Sequence, residues 1–143
     1  MDFELLEYMN ESSKMISTRL KELLKLLEDK KNKIKKDIKE ALSDYENYNR
    51  DIKKLITKKK DKTKDIKTTT RISVKMITKK EIKKDNSDAA IAHMIMQGVT
   101  ITIIDLESMI NKFDKELDKK ILKVSKEYLN FNKKQIDIYK EYL

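Results

Sequence analysis

Four stretches of the chain repeat apolar residues at alternating intervals of three and four. The first, about residues 2–28, carries Leu6, Met9, Ser13, Ile16, Leu20, Leu23 and Leu27, the a/d stripe of an amphipathic helix. Leu5, Leu24 and Leu26 widen it toward a bundle core rather than a two-stranded seam. The second stretch, about 33–60, repeats the pattern with Ile34, Ile38, Ala41, Tyr45, Tyr48, Ile52 and Leu55 and fades at Lys58-Lys59-Lys60. The third, about 88–113, has the stripe Ile95, Val99, Thr102, Leu106, Met109 and Phe113. It also places Ile91, Met94, Ile101 and Ile104 off that stripe, so it is predicted to be buried on several sides. The fourth, about 115–143, carries Leu117, Ile121, Val124, Tyr128, Phe131, Gln135, Ile138 and Tyr142. Gln135 is the polar intruder, expected to fix register or to meet another polar group.

Residues 61–86 break the pattern. Thr63, Thr68, Thr69 and Thr70 weaken a helix because β-branched side chains lose rotamer freedom against the preceding turn. Ile72, Val74 and Met76 alternate with polar residues as a strand would, but a lone strand has no partner. A crossover is therefore predicted, with a short helix through Ser73–Lys83. Asp85-Asn86-Ser87-Asp88 reads as a capped helix start. No Gly or Pro marks the turn near 29–33, so two architectures fit the pattern. One is a bundle with a crossover; the other is two long helices of about 55 residues paired as coiled coils. The third stretch's extra apolar faces and the 26-residue connection favour the bundle. The expected fold is all-α: a ferritin-like four-helix bundle in one domain, 1–143, with a long crossover between its second and third helices.

Composition narrows the classes. Among 143 residues there is one glycine, and no proline, cysteine or tryptophan. That excludes multi-strand sandwiches, disulfide scaffolds, cysteine metal sites and thiol nucleophiles. No 18 consecutive residues are apolar and the start, Met1-Asp2-Phe3-Glu4, lacks a signal-peptide core. The sequence therefore predicts a cytoplasmic protein with no transmembrane segment. Charge is uneven. Residues 53–84 hold 14 basic and three acidic side chains, while the whole chain carries +9. Lys53, Lys54, Lys58, Lys59, Lys60, Arg71, Lys79 and Lys80 are the candidate anion-binding residues. Only Arg19, Arg50 and Arg71 are arginine, whereas bidentate phosphate and base readout favour that residue. A solvated face is the simpler account of this block.

Ser87-Asp88-Ala89-Ala90-Ile91-Ala92-His93-Met94-Ile95-Met96-Gln97-Gly98-Val99-Thr100-Ile101-Thr102-Ile103-Ile104-Asp105 resembles a segment of small clostridial ferritin-like four-helix-bundle proteins of unknown function. The Met96-Gln97-Gly98 core carries the likeness most specifically. Glu4-Leu5-Leu6-Glu7-Tyr8 and the ending Leu129–Leu143 are similar as well, and Ile72–Met76 falls at those proteins' Met-rich connector. The resemblance implies a four-helix bundle with a crossover, from a Firmicutes-like anaerobe or its mobile elements, and no known activity. The His and Glu of those proteins' helix start correspond here to Ala90 and His93, so any metal pair there is lost.

A di-iron bundle needs inward carboxylates and two Glu-x-x-His pairs. This chain has one histidine, so no cofactor and no metal is expected. A degenerate site from Glu7, Glu11, Asp44, His93 and Glu127 is the weaker alternative. His93 is expected to be partly buried near a helix start. No phosphate loop or nucleophile elbow is present, so no enzyme is predicted. The tyrosines and methionines read as packing residues. Gly98, which costs a helix interior about 1 kcal/mol relative to alanine, is expected to admit a neighbouring helix closely, with a ligand as the second explanation. The expected role is a structural, packaging or adaptor protein acting through helix–helix contacts, with Gly98, Ile91, Met94, Ile101 and Ile104 as packing or interface residues. A homodimer is the expected assembly, although residues 66–84 folding back would cover the same face. Nucleic acid or an anionic surface, bound through Lys53–Lys84, is the alternative.

Overall fold

The structure, a computed structural model, describes residues 2–60 and 66–143. Five helices follow in order: α1 Asp2–Leu26, α2 Lys35–Lys60, α3 Thr68–Lys84, α4 Asp88–Phe113 and α5 Lys119–Lys140. The chain is all-α, with no strand among the described residues.

The α1 stripe is buried along its whole length, Leu6 through Leu27. Its apolar residues share one core with Ile38, Tyr45 and Ile52 of α2, Ile91, Val99 and Leu106 of α4, and Ile121 and Tyr128 of α5. The helix directions follow from cross-helix pairs. Asp118 N donates to Asp2 Oδ1, and Ser12 Oγ meets Tyr128 OH at 2.9 Å, so α5 runs parallel to α1. Tyr45 and Tyr142 reach Asn132 and Asp37, so α2 and α5 are antiparallel. Tyr8 on α1 reaches Asp105 on α4, while Arg19 stands beside Gly98, so α1 and α4 are antiparallel.

The helix ends are held by polar side chains. Ser87 Oγ accepts from Ala90 N at the start of α4, and Asp118 Oδ1 accepts from Lys120 N at the start of α5. That cap sets the start of α5 at Lys119, four residues after the point where the apolar pattern alone would begin it. The α1–α2 connection is pinned where Asn32 Nδ2 donates to Asp88 Oδ1 at 2.8 Å and Lys33 N to Asp88 Oδ2. This break rules out the two long helices.

The connector is helical from Thr68, through the stretch whose alternation leaned toward a strand. Without a partner strand its backbone donors are satisfied only within a helix. The Thr78 hydroxyl, fully buried, is satisfied by Val74 O at 2.7 Å. Val74 and Thr78 lie against α1, and Ile82 is half-buried. Ile72, Met76 and Ile77 remain more than half exposed, and so do Ile101 and Ile104 on α4. The connector therefore folds back without covering the α4 face. By length and composition α4 would suffice to cross a membrane, although no 18 of its residues in a row are apolar. Here it buries Ile91, Ile95, Val99 and Leu106 in the protein core.

Candidate functional site

The core that the helices share is polar at its middle, but neutral. Asn49 Nδ2 on α2 donates to Asn10 Oδ1 and Ser13 Oγ on α1, both at 2.9 Å. Tyr45 OH donates to Asn132 Oδ1, and Asn132 Nδ2 to Tyr128 O. Burial drives the Tyr45 and Tyr128 phenols above their ordinary pKa. Gln135 is buried as well, yet its Oε1 finds no partner among the described residues. It does not meet the polar group the pattern suggested. The degenerate metal set does not assemble: Glu11, Asp44, His93 and Glu127 are all exposed. Among the described residues no three His, Cys, Asp or Glu side chains converge. His93 is exposed because it faces away from the α4 stripe, contrary to the half-buried position expected.

The best-formed cavity lies elsewhere. α3 and α4 leave their short connection at 85–87 and straddle α1, opening a channel of about 320 Å³ between them. Its floor is α1, from Tyr8 through Ser12, Met15 and Ile16 to Arg19. One wall is Val74 and the other is Ile95, Gly98, Ile101 and Thr102. Ile101, expected as an interface residue, forms a rim; Ile104, one turn on, is exposed beside it. Ile91 and Met94 are buried in the core instead.

Gly98 does not serve a close helix approach. A Cβ there would meet only Arg19 Nη1, at 3.9 Å, an ordinary contact. Its missing side chain leaves room beside a guanidinium. Arg19 is half-buried, and its Nε has no hydrogen-bond partner among the described residues. Burial lowers the Arg19 pKa, and the Glu81 carboxylate opposes that shift. At the other end of the channel Tyr8 OH donates to Asp105 Oδ2 at 2.9 Å, and burial followed by that bond holds the phenol protonated well above its usual range. Pattern reading singled out neither Arg19 nor Asp105 as a site. The available signal was an arginine flanking the α1 stripe in a chain whose cations are nearly all lysine.

A second, polar groove of about 690 Å³ runs between α1, α2 and α3. Lys14, Lys21, Lys25, Arg50, Lys53, Arg71 and Lys75 line it, with Glu22 and Glu46 as the acids. Of the candidate anion-binding residues it gathers Lys53 and Arg71. Lys54, Lys58, Lys79 and Lys80 are exposed away from it, and the side chains of Lys59 and Lys60 lie outside the described residues.

No protein-family model, curated protein or solved structure matches the chain.

Proposed function

We propose that this is a non-enzymatic helical protein that works through apolar contacts of its α3/α4 face, its first partner being a second copy of itself. One observation carries the reading: Ile72, Met76, Ile77, Ile101 and Ile104, five large aliphatic side chains more than half exposed, all lie on α3 and α4, and Ile101 also lines the apolar channel. Large apolar side chains left exposed on consecutive helices mark interaction sites on soluble proteins. A two-fold dimer buries such a face against itself and is the commonest assembly. The helix directions, with α1 and α5 parallel and α2 and α4 opposed to them, support a ferritin-like bundle to which α3 is added in the crossover.

The chain has no cysteine, which makes the proposal simple to test. Ile104→Cys and Met76→Cys should each give a covalent dimer on mild oxidation, and Asn130→Cys on the exposed side of α5 should not. Absence of a covalent dimer from both α3/α4 positions contradicts the reading.

A second reading rests on the basic groove, where cations from three helices converge. A nucleic acid or other polyanion seated there would lose affinity steeply with added salt. Arg71→Glu should then weaken DNA binding in a mobility-shift titration. Binding that ignores both salt and this substitution removes the second reading.

A further inference from the structure

We propose that the channel between α3 and α4 binds a free aliphatic monocarboxylate of medium chain length, its head on Arg19 and its tail over Met15, Ile16 and Ile101. The lining belongs entirely to one chain, so the site does not depend on self-association.

Arg19 is the only cation lining this channel among the described residues. A guanidinium offers a planar fork of donors matched to a carboxylate, and here a buried donor of that fork is unused. Gly98 keeps the approach open, since any side chain beyond Cβ would stand where the carboxylate must sit. On the channel side of the cation the walls are aliphatic, Val74, Ile95, Ile101 and Leu20, while on its other side Arg19 borders a polar cavity with Glu81, Lys84 and Asp85. Such a lining holds a hydrocarbon and offers few partners to a sugar or base.

Size and shape restrict the ligand further. The volume of about 320 Å³ falls at the lower end of the roughly 300–1,000 Å³ usual for small-molecule sites, too small for a docked helix. From Tyr8 to Arg19 the floor follows α1 for about 16 Å, at about 1.5 Å per residue. The channel is thus long and narrow. Its far end carries Glu11 and Asp105, which repel a carboxylate and fix which way the chain lies. Glu81 on α3 is the competitor for Arg19: it acts on the guanidinium electrostatically, while its own ion pair, 3.9 Å long, is with Lys84.

Calorimetric titration of the full chain with decanoate, kept below its micelle concentration, is expected to show one site per chain. Neutral decanol should bind about tenfold or more weakly, the worth of a charged hydrogen bond. Arg19→Gln should remove that difference. Gly98→Leu should abolish decanoate binding in a protein that still unfolds cooperatively, and Glu81→Gln should tighten it. Equal affinity for decanoate and decanol, or unchanged decanoate affinity in Arg19→Gln, overturns the proposal. So does a protein that ignores free decanoate and binds only vesicles of anionic phospholipid. Occupancy per chain is read here, whereas self-association is read by cross-linking or mass, so the failure of one is distinguishable from the failure of the other.

Discussion

Tyr45 on α2 donates a 2.6 Å hydrogen bond to Oδ1 of Asn132 on α5, and both side chains are buried. Asn132 turns its other end to Tyr128 O at 2.8 Å. The pair locks two helices at one register in a way that aliphatic packing alone does not, because a slip would strand two polar groups out of water.

Tyr45→Phe should therefore destabilise by about 1–3 kcal/mol, since it leaves the Asn132 oxygen buried and unpaired. Pairing it with Asn132→Leu should recover part of that loss. Denaturant unfolding of the two variants is the check. Parent-like stability of Tyr45→Phe would show that the bond is not closed in solution.

Gly98→Ala should stabilise the protein by about 0.5–1 kcal/mol. The new methyl group meets only Arg19 Nη1 at 3.9 Å, while alanine improves helix propensity and narrows the unfolded ensemble. A lower thermal midpoint for this variant would place a helix where the channel is.

All six tyrosines are held above their ordinary pKa. Burial is the main cause for Tyr8, Tyr45, Tyr48, Tyr128 and Tyr139, and the hydrogen bond to Asp37 for Tyr142, which is pushed up to about 12. Unfolded tyrosine releases its proton near pH 10. Above that pH the folded chain retains more protons than the unfolded one, so stability complete below pH 10 falls as pH rises through the folded values. Phenolate absorbance should thus rise together with loss of helical circular dichroism, in one step above pH 10. Several tyrosines ionising near pH 10 in a fully helical protein would contradict this.

α3 buries only Val74 and Thr78 and rests chiefly on α1. Few buried contacts mean low local stability. In the Ile101→Glu variant, where no second copy covers α3, amide exchange in 68–84 should be markedly faster than in the middle of α1 or α4. Equal protection in that variant would contradict the low local stability of α3.

Much of this was legible in the pattern, and the exceptions are mostly buried polar residues. Every member of the α1 stripe from Leu6 to Leu27 is buried, and so are Ile95, Val99, Thr102 and Leu106 of α4. On α5 the inward face is Ile121, Ser125, Tyr128, Asn132, Gln135 and Tyr139, not the more apolar set with Val124, Phe131 and Ile138. On α2 the face shifts likewise from Tyr48 to Asn49. Hydrophobic periodicity cannot see Asn49 and Asn132, which are buried because they bond across helices, nor Ser125, which bonds Ile121 O within its own helix. The channel was hidden for a related reason. Arg19 and Gly98 are far apart in sequence, and only the antiparallel packing of α1 on α4 sets them side by side.

The central claim, that the α3/α4 face closes on a second copy, is tested most directly by light scattering of the unmodified chain beside Ile101→Glu. Ile101 is exposed, so the charge should leave each chain folded. The parent is expected at twice the 17.0 kDa mass of one chain, and the variant at that mass, with unchanged helical signal. A parent that scatters as a single chain at tens of micromolar would contradict the account.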